Sequence, residues 1–467
     1  MLRRKLTLLT SAFLVAAPLF VTKAAHAQAW LADRKYAEGA GIRVGDLELH
    51  PGVGAEVGFD SNWFRRSYKD GANVVNAAPN APIRPGGILR ITPSLYISTL
   101  TAQRKESDTG PVEPPKVNFR AGISATYRAF VGAEVVDQNG INGLSGNLDA
   151  RVDVLPQRPF SFGIGANYGR SVNPNTSGNP DASFNRNNLG LKADATVTPG
   201  SGTLSWSLGY ALGAELLDTP TNSPFNSISH TIYTRGSWKF RPKTAVIMDG
   251  GFAFRTWTQK DRSFNALFNS TPLRARLGLS GLITPRFALL AMVGYGGSFQ
   301  DTTASPLIQQ YNSVIGQLEL KFFLTANPSA EQATTLAISS IAVGYNRDFA
   351  TSFLGSYYGS DRGYAKFQYF FGGRALLGIE AGAGAMEYPN LFSNNGGSVA
   401  LIASPFTNIA IDASLFGEYR FTNTLGLNLS VAYHDEISSQ QLPAGTGFVY
   451  DMNFRRVEAY LGFRWFM

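Results

Sequence analysis

Apolar residues recur at every second position through long stretches of this chain, from residue 46 to the last residue. In a strand, successive side chains point to opposite faces, so each such stretch has one apolar face and one polar face. Val117, Phe119, Ala121, Ile123, Ala125 and Tyr127 alternate with Asn118, Arg120, Gly122, Ser124, Thr126 and Arg128. Leu144, Leu148, Ala150, Val152 and Val154 alternate with Ser145, Asn147, Asp149, Arg151 and Asp153. Leu273, Ala275, Leu277 and Leu279 alternate with Arg274, Arg276 and Ser280. Strands of soluble sandwiches usually hold about 5–6 residues, whereas these segments run for 10 to 16. A tilted strand needs about 9–11 residues to cross a bilayer. An open edge in hydrocarbon would leave backbone groups without partners, so such a sheet must close. The fold expected is all-β: a transmembrane, antiparallel, up-and-down β-barrel of about 18 strands with a polar lumen.

The segments are 46–60, 88–101, 117–131, 142–154, 160–170, 188–198, 203–216, 230–240 and 244–257, then 273–284, 286–299, 313–325, 335–348, 362–371, 374–388, 407–421, 424–434 and 452–467. In 335–348 the phase slips between Ile338 and Ile341, which predicts a bulge at Ser339–Ser340. Residues 397–404 are assigned to a loop. Even-to-odd links are mostly short and rich in turn residues, such as Pro199-Gly200-Ser201-Gly202, Arg241-Pro242-Lys243 and Thr422-Asn423. Odd-to-even links are longer: 61–87, 171–187, 217–229, 258–272, 300–312, 389–406 and 435–451. Short turns inside and long loops outside is the outer-membrane pattern, and it predicts that both termini are periplasmic. The two longer inner turns, 102–116 and 326–334, are read as ordinary loop variation or as docking points for a partner. Aromatic residues gather near strand ends as interface girdles should: Trp238 with Phe240, Phe367 with Tyr369 and Phe371, Tyr419 with Phe421.

Arg3, Arg4 and Lys5 precede an apolar run from Leu6 to Val21, and Ala25-His26-Ala27 offers a small-x-small cleavage site. Residues 1–27 are therefore expected to be a cleaved signal peptide, 28–45 a short periplasmic segment, and 46–467 the barrel. A plugged receptor would need an extra domain before the first strand and about 22 strands, so no plug is expected. The formal charge falls from +8 to +4 on cleavage, because Arg3, Arg4, Lys5 and Lys23 leave. That modest balance gives nucleic-acid binding little support. With no cysteine, disulfides, thiolate metal sites and cysteine nucleophiles are excluded.

Eighteen strands leave room for a water-filled lumen. Its expected cationic lining is Arg90, Arg120, Arg128, Arg151, Arg235, Lys239, Arg274, Arg276, Lys321, Arg456 and Arg464. Glu319, Asp412, Glu418 and Glu458 interleave with these, as do Glu48, Glu56, Asp149, Asp153, Asp194 and Glu380. Such a wall suits a conduit for hydrated, acidic solute or polymer, or it is simply braced and wetted by its ion pairs. The first loop, 61–87, is long enough to fold into the lumen as a constriction. For catalysis there is little: His50, His230 and His434 fall on separate strands, with no metal-pair spacing. His434 with Asp435 and Ser438 is the one candidate for a hydrolytic constellation. No enzyme activity and no cofactor are expected.

The last strand sends Leu461, Phe463, Trp465 and Met467 outward, with Tyr460, Gly462 and Arg464 inward. It resembles the terminal signal read by the barrel-assembly machinery, which usually ends in phenylalanine where this chain has Met467. The first strand and its exit, Arg43 to Pro51 and Val57-Gly58-Phe59-Asp60-Ser61-Asn62-Trp63-Phe64-Arg65, resemble the β-barrel porin 2 family. That family's opening strand ends in an aromatic-Asp-x-Asn-x-aromatic motif; here Trp63 replaces a small β-branched residue. The overall plan also resembles the 18-stranded barrels that partner short periplasmic polysaccharide-export proteins in myxobacteria. The resemblance implies an outer-membrane conduit for the last step of polysaccharide export, with lipid around it and a periplasmic export protein beneath. Three alternatives stand beside it. One is a diffusion porin, expected to show a lumen-folded loop; the others are a structural barrel of an envelope-spanning motility complex and an outer-membrane hydrolase.

Overall fold

A computed structural model describes residues 41–100, 116–131, 143–156, 159–172, 185–200, 202–218, 225–258, 266–324, 339–371, 374–395, 398–445 and 447–467. The expected signal peptide, most of segment 28–45 and nearly all of the turns 102–116 and 326–334 lie outside the described residues. Eighteen long strands form the wall. They are β1 (Leu47–Asp60), β2 (Gly86–Thr99), β3 (Val117–Val131), β4 (Gly143–Val154), β5 (Phe160–Ser171) and β6 (Arg186–Val197). Next come β7 (Leu204–Leu217), β8 (Ser227–Arg241), β9 (Thr244–Trp257), β10 (Leu273–Thr284), β11 (Phe287–Gly297) and β12 (Asn312–Phe323). The last six are β13 (Ser340–Ser352), β14 (Ser356–Phe371), β15 (Ala375–Tyr388), β16 (Phe406–Arg420), β17 (Leu425–Ser438) and β18 (Phe454–Phe466). Each pairs antiparallel with its neighbour in sequence, and β1 pairs with β18 from Gly52↔Phe466 to Asp60↔Glu458. The sheet is therefore a closed, up-and-down, all-β barrel, with no helix among the described residues.

β18 stops at Gly52 of β1, and the free stretch of β1 below it is covered by a short strand, Ile42–Val44 (Ile42↔Leu49). Pro51, which has no N–H to give, falls at that junction. The seam also depends on a close approach. Tyr460 of β18 lies flat over Gly58 of β1, where an added Cβ would run into the tyrosine ring and come 2.8 Å from the Ala459 carbonyl. Gly58→Val should therefore lose about 1–3 kcal/mol. A lower temperature for the loss of the compact, heat-resistant gel band would show it; an unchanged temperature would mean that the seam has slack.

The alternation turns large apolar side chains outward. Ile164 is 66% exposed and Val293 62%, and similar residues stand on every side of the wall. A water-facing surface this apolar is foreign to soluble monomers and native to hydrocarbon. Two aromatic rings bound it. Trp206, Trp238, Phe240, Phe287, Phe371 and Phe463 stand near the short turns, and Phe59, Tyr127, Tyr168, Tyr210, Tyr295 and Tyr345 stand toward the long loops. On β11 the two rings are the eight residues from Phe287 to Tyr295 apart, or about 20 Å along the barrel axis for tilted strands.

The strand residues before the predicted bulge at Ser339–Ser340, 335–338, lie outside the described residues; from Ser340 to Ser352 pairing runs unbroken, and Ser339 accepts from the Leu324 N–H at the strand's start. Two expectations need correction. The gap between segments 335–348 and 362–371 shrinks to a three-residue turn, Phe353-Leu354-Gly355, because β13 and β14 pair far past the apolar belt. Of residues 397–404, assigned to a loop, Ser398–Ala403 form a strand that pairs with Leu391–Asn395 in a hairpin that leaves the wall; Gln441–Gly445 and Phe448–Asp451 form a second one.

Candidate conduit and its loop constriction

With neighbouring strands about 4.8 Å apart and tilted about 40°, eighteen strands enclose a cylinder about 35 Å across between backbones. All fifteen lumen candidates lie on the face opposite the apolar one. They do not converge on one site; most enter ion pairs, some across strands and others two residues apart on one strand. Arg90 meets Glu56 at 2.8 Å, Arg276 meets Asp249 at 2.7 Å, Lys321 meets Glu319 at 3.4 Å, and Arg464 meets Glu418 at 3.3 Å. Arg151 holds Asp153 at 2.7 Å and Asp194 at 2.9 Å, while Arg120 faces Arg151 directly across the β3–β4 pair. Arg274 reaches Asp348 at 3.0 Å. Arg362, absent from the expected lining, holds Asp412 at 2.5 Å and Glu380 at 3.0 Å, and Arg420 meets Glu418 at 3.2 Å.

Arg128 and the Arg456–Glu458 pair belong to a different structure, the anchor of the first loop. At the exit of β1, Asp60 is fully buried and takes two bonds from Arg456, with Nη2 at 2.5 Å and Nε at 3.0 Å. Glu458 accepts from the same guanidinium at 2.8 Å. Ser61 exchanges bonds with Val457, and Asn62 donates to the Arg455 and Arg66 carbonyls. Trp63 is 3% exposed, packed between Ile88, Phe130 and Tyr460, with the guanidiniums of Arg128 and Arg456 at 4.9 and 5.1 Å from its ring. Ile88, Phe130 and Tyr460 are inward positions of β2, β3 and β18, so the loop folds back onto the inner wall. The aromatic-Asp-x-Asn-x-aromatic run is thus a structural staple.

Further along, Ser67 donates to Asp451, Asn76 exchanges bonds with Asp451, and Val74 pairs with Val449 of the last hairpin. That hairpin packs through Leu442 and Met452 on Leu354, Leu391 and Ala403. The 391–403 hairpin in turn reaches along the mouth to the β9–β10 and β11–β12 loops, where Phe392 meets Ala266 and Ile308. Phe353 at the β13–β14 turn touches Trp257 at the end of β9, beyond three intervening strands, and Phe225 just before β8, beyond four. The long-loop end is therefore narrowed by loops that hold one another.

Arg65, next in the loop, is held at a positive φ of 49° with its ring-facing guanidinium 4.9 Å from Phe454 and its Nε without a hydrogen-bond partner among the described residues. Burial, with Arg456 nearby, pulls this guanidinium down to about 9. The folded value lies below the unfolded one, so the charged form costs stability below about pH 9 and the cost lifts as pH rises past it. The hydrolytic candidate does not assemble. His434 stands 4.0 Å from the buried Glu436, Asp435 binds Arg455, and the Ser438 hydroxyl donates to the Gln440 carbonyl. His230 faces outward and meets the Tyr210 hydroxyl, and His50 lies beside Glu48 at the other end of the barrel.

No protein-family model matches the chain, and no curated protein matches it in sequence. Solved structures of similar outline include Pseudomonas aeruginosa OpdQ, 10% identical over 91% of this chain and 98% of that one, with a TM-score of 0.43. Acinetobacter baumannii OccAB4 is 10% identical over 90% and 98%, at 0.44. The outer membrane protein OpdK of Pseudomonas aeruginosa is 10% identical over 90% and 99%, also at 0.44.

Proposed function

We propose that this chain is an outer-membrane channel through which small hydrophilic solutes diffuse. The observation that carries this reading is the first loop, stapled by Asp60, Asn62 and Trp63 to the charged inner wall of a barrel whose outer wall is apolar. A wall with a wet face and a lipid face makes a conduit, and a loop fixed inside it sets an upper size for what passes. In this reading residues 1–27 direct export, the assembly machinery reads Leu461, Phe463, Trp465 and Met467, and both termini lie on the periplasmic side with the short turns. Polysaccharide export, with a periplasmic partner feeding the polymer, rests on the motif resemblance. A mouth narrowed by mutually packed loops favours small cargo over a polymer.

Liposome swelling tests it. Proteoliposomes of the full chain should swell in arabinose and glucose, progressively less in larger oligosaccharides, and not in dextran. Equal swelling in short and long oligosaccharides would favour the polymer conduit, and loss of surface polysaccharide on gene deletion would do the same.

A further inference from the structure

Charge is not evenly matched around the lumen. Along β9–β15 and at the seam, most inward cations stand beside acids, as in Arg276–Asp249, Lys321–Glu319, Lys366–Glu380 and Arg90–Glu56, and Arg255 donates to the Ser227 hydroxyl. β6–β8 differ. Lys192 of β6 and Arg235 and Lys239 of β8 point inward, are exposed, and enter no ion pair among the described residues. The acids nearest them are already answered: Asp194 by Arg151 through bonds of 2.9 and 3.0 Å, Glu215 by Arg186 at 2.9 Å, and Asp249 by Arg276. Arg235 faces Asp249 in register across β8–β9 and lies 5.9 Å from the Tyr233 ring, but that carboxylate is engaged by Arg276, so all three cations keep a charge that no acid among the described residues answers within ion-pair distance.

Their spacing is regular. Lys192 pairs in register with Ala211, and Ala211 with Thr231, so Lys192 is level with Thr231 of β8. Arg235 and Lys239 follow at four-residue steps, about 13 Å each along the strand, with Lys192 set about 10 Å to the side across two strand spacings. That interval is close to the screening length of about 10 Å at 0.1 M salt, so an anion leaving one cation enters the field of the next.

We propose that Lys192, Arg235 and Lys239 form a cationic lane along one wall of the lumen, which passes small anionic solutes such as carboxylates and phosphates in preference to cations. This rests on the conduit reading above. The test is the reversal potential of the full chain in neutral planar bilayers under a KCl gradient, the dilute side near about 0.1 M. Wild type should favour chloride by about threefold or more, and K192Q/R235Q/K239Q should lower that ratio by about twofold or more. The E319Q/K321Q control removes a matched pair and should leave the ratio alone. A cation preference, or a triple variant with the wild-type ratio, overturns the lane while leaving a conduit. A folded, inserted chain that carries no current overturns the conduit and the lane with it.

Discussion

Arg456→Ala is expected to destabilise the barrel by about 3–5 kcal/mol and to raise its conductance. Asp60 is fully buried and its carboxylate is answered chiefly by Arg456, with the Asn62 amide as a further donor at 2.9 Å. Deleting the guanidinium strands a charge where water cannot reach it, which is the costly way to break a buried pair. Removing both partners is much cheaper, so D60N/R456M should recover most of the stability. Both variants cut the anchor at the exit of β1, and the first loop should then swing from the wall. Urea unfolding in detergent reads the stability, and single-channel recording reads the bore. A single variant as stable as wild type would mean that water already solvates Asp60.

Trp63→Ala should cost a similar amount, about 3–5 kcal/mol for a large buried aromatic. The ring fills the space between Ile88, Phe130 and Tyr460, meets Phe130 edge-on at 4.5 Å, and lies beneath two guanidiniums. Its loss leaves a cavity together with two cations deprived of a π face. The expected result is rapid proteolytic cleavage between residues 64 and 85 in a chain whose barrel stays protected. Because Trp63 and Arg456 touch, their effects should fall short of additive when combined. Additive losses would mean two independent anchors.

The wall was legible because hydrocarbon demands an apolar residue at every second position, and that demand shows in composition. β3, β9 and β10 match their expected limits, 117–131, 244–257 and 273–284. Beyond the aromatic ring the demand ends while backbone pairing continues. In β13 and β14 the partners above the belt include Arg347↔Asp361 and Asp348↔Ser360, which carry no alternation to read. The same shortfall hid Arg362: placed at the start of a strand, it sits mid-strand and bridges to Asp412 and Glu380. The loop hairpins were hidden for another reason. Leu391, Leu442 and Met452 are apolar for a small core formed between loops, so their spacing follows no strand period. Charged lumen positions could be read one by one, but their pairing depends on register, which no single strand displays.

The chain has no cysteine, so single cysteines can be placed at will. The most direct test of a lipid-facing wall around a wet lumen is to walk them along β10 from Arg274 to Ser280 in proteoliposomes and label with a water-soluble maleimide. Positions 274, 276 and 280 should label readily, and positions 275, 277 and 279 should stay protected until detergent replaces the bilayer. Uniform labelling, or protection of the arginine positions instead, would contradict the barrel's division into a lipid face and a water face.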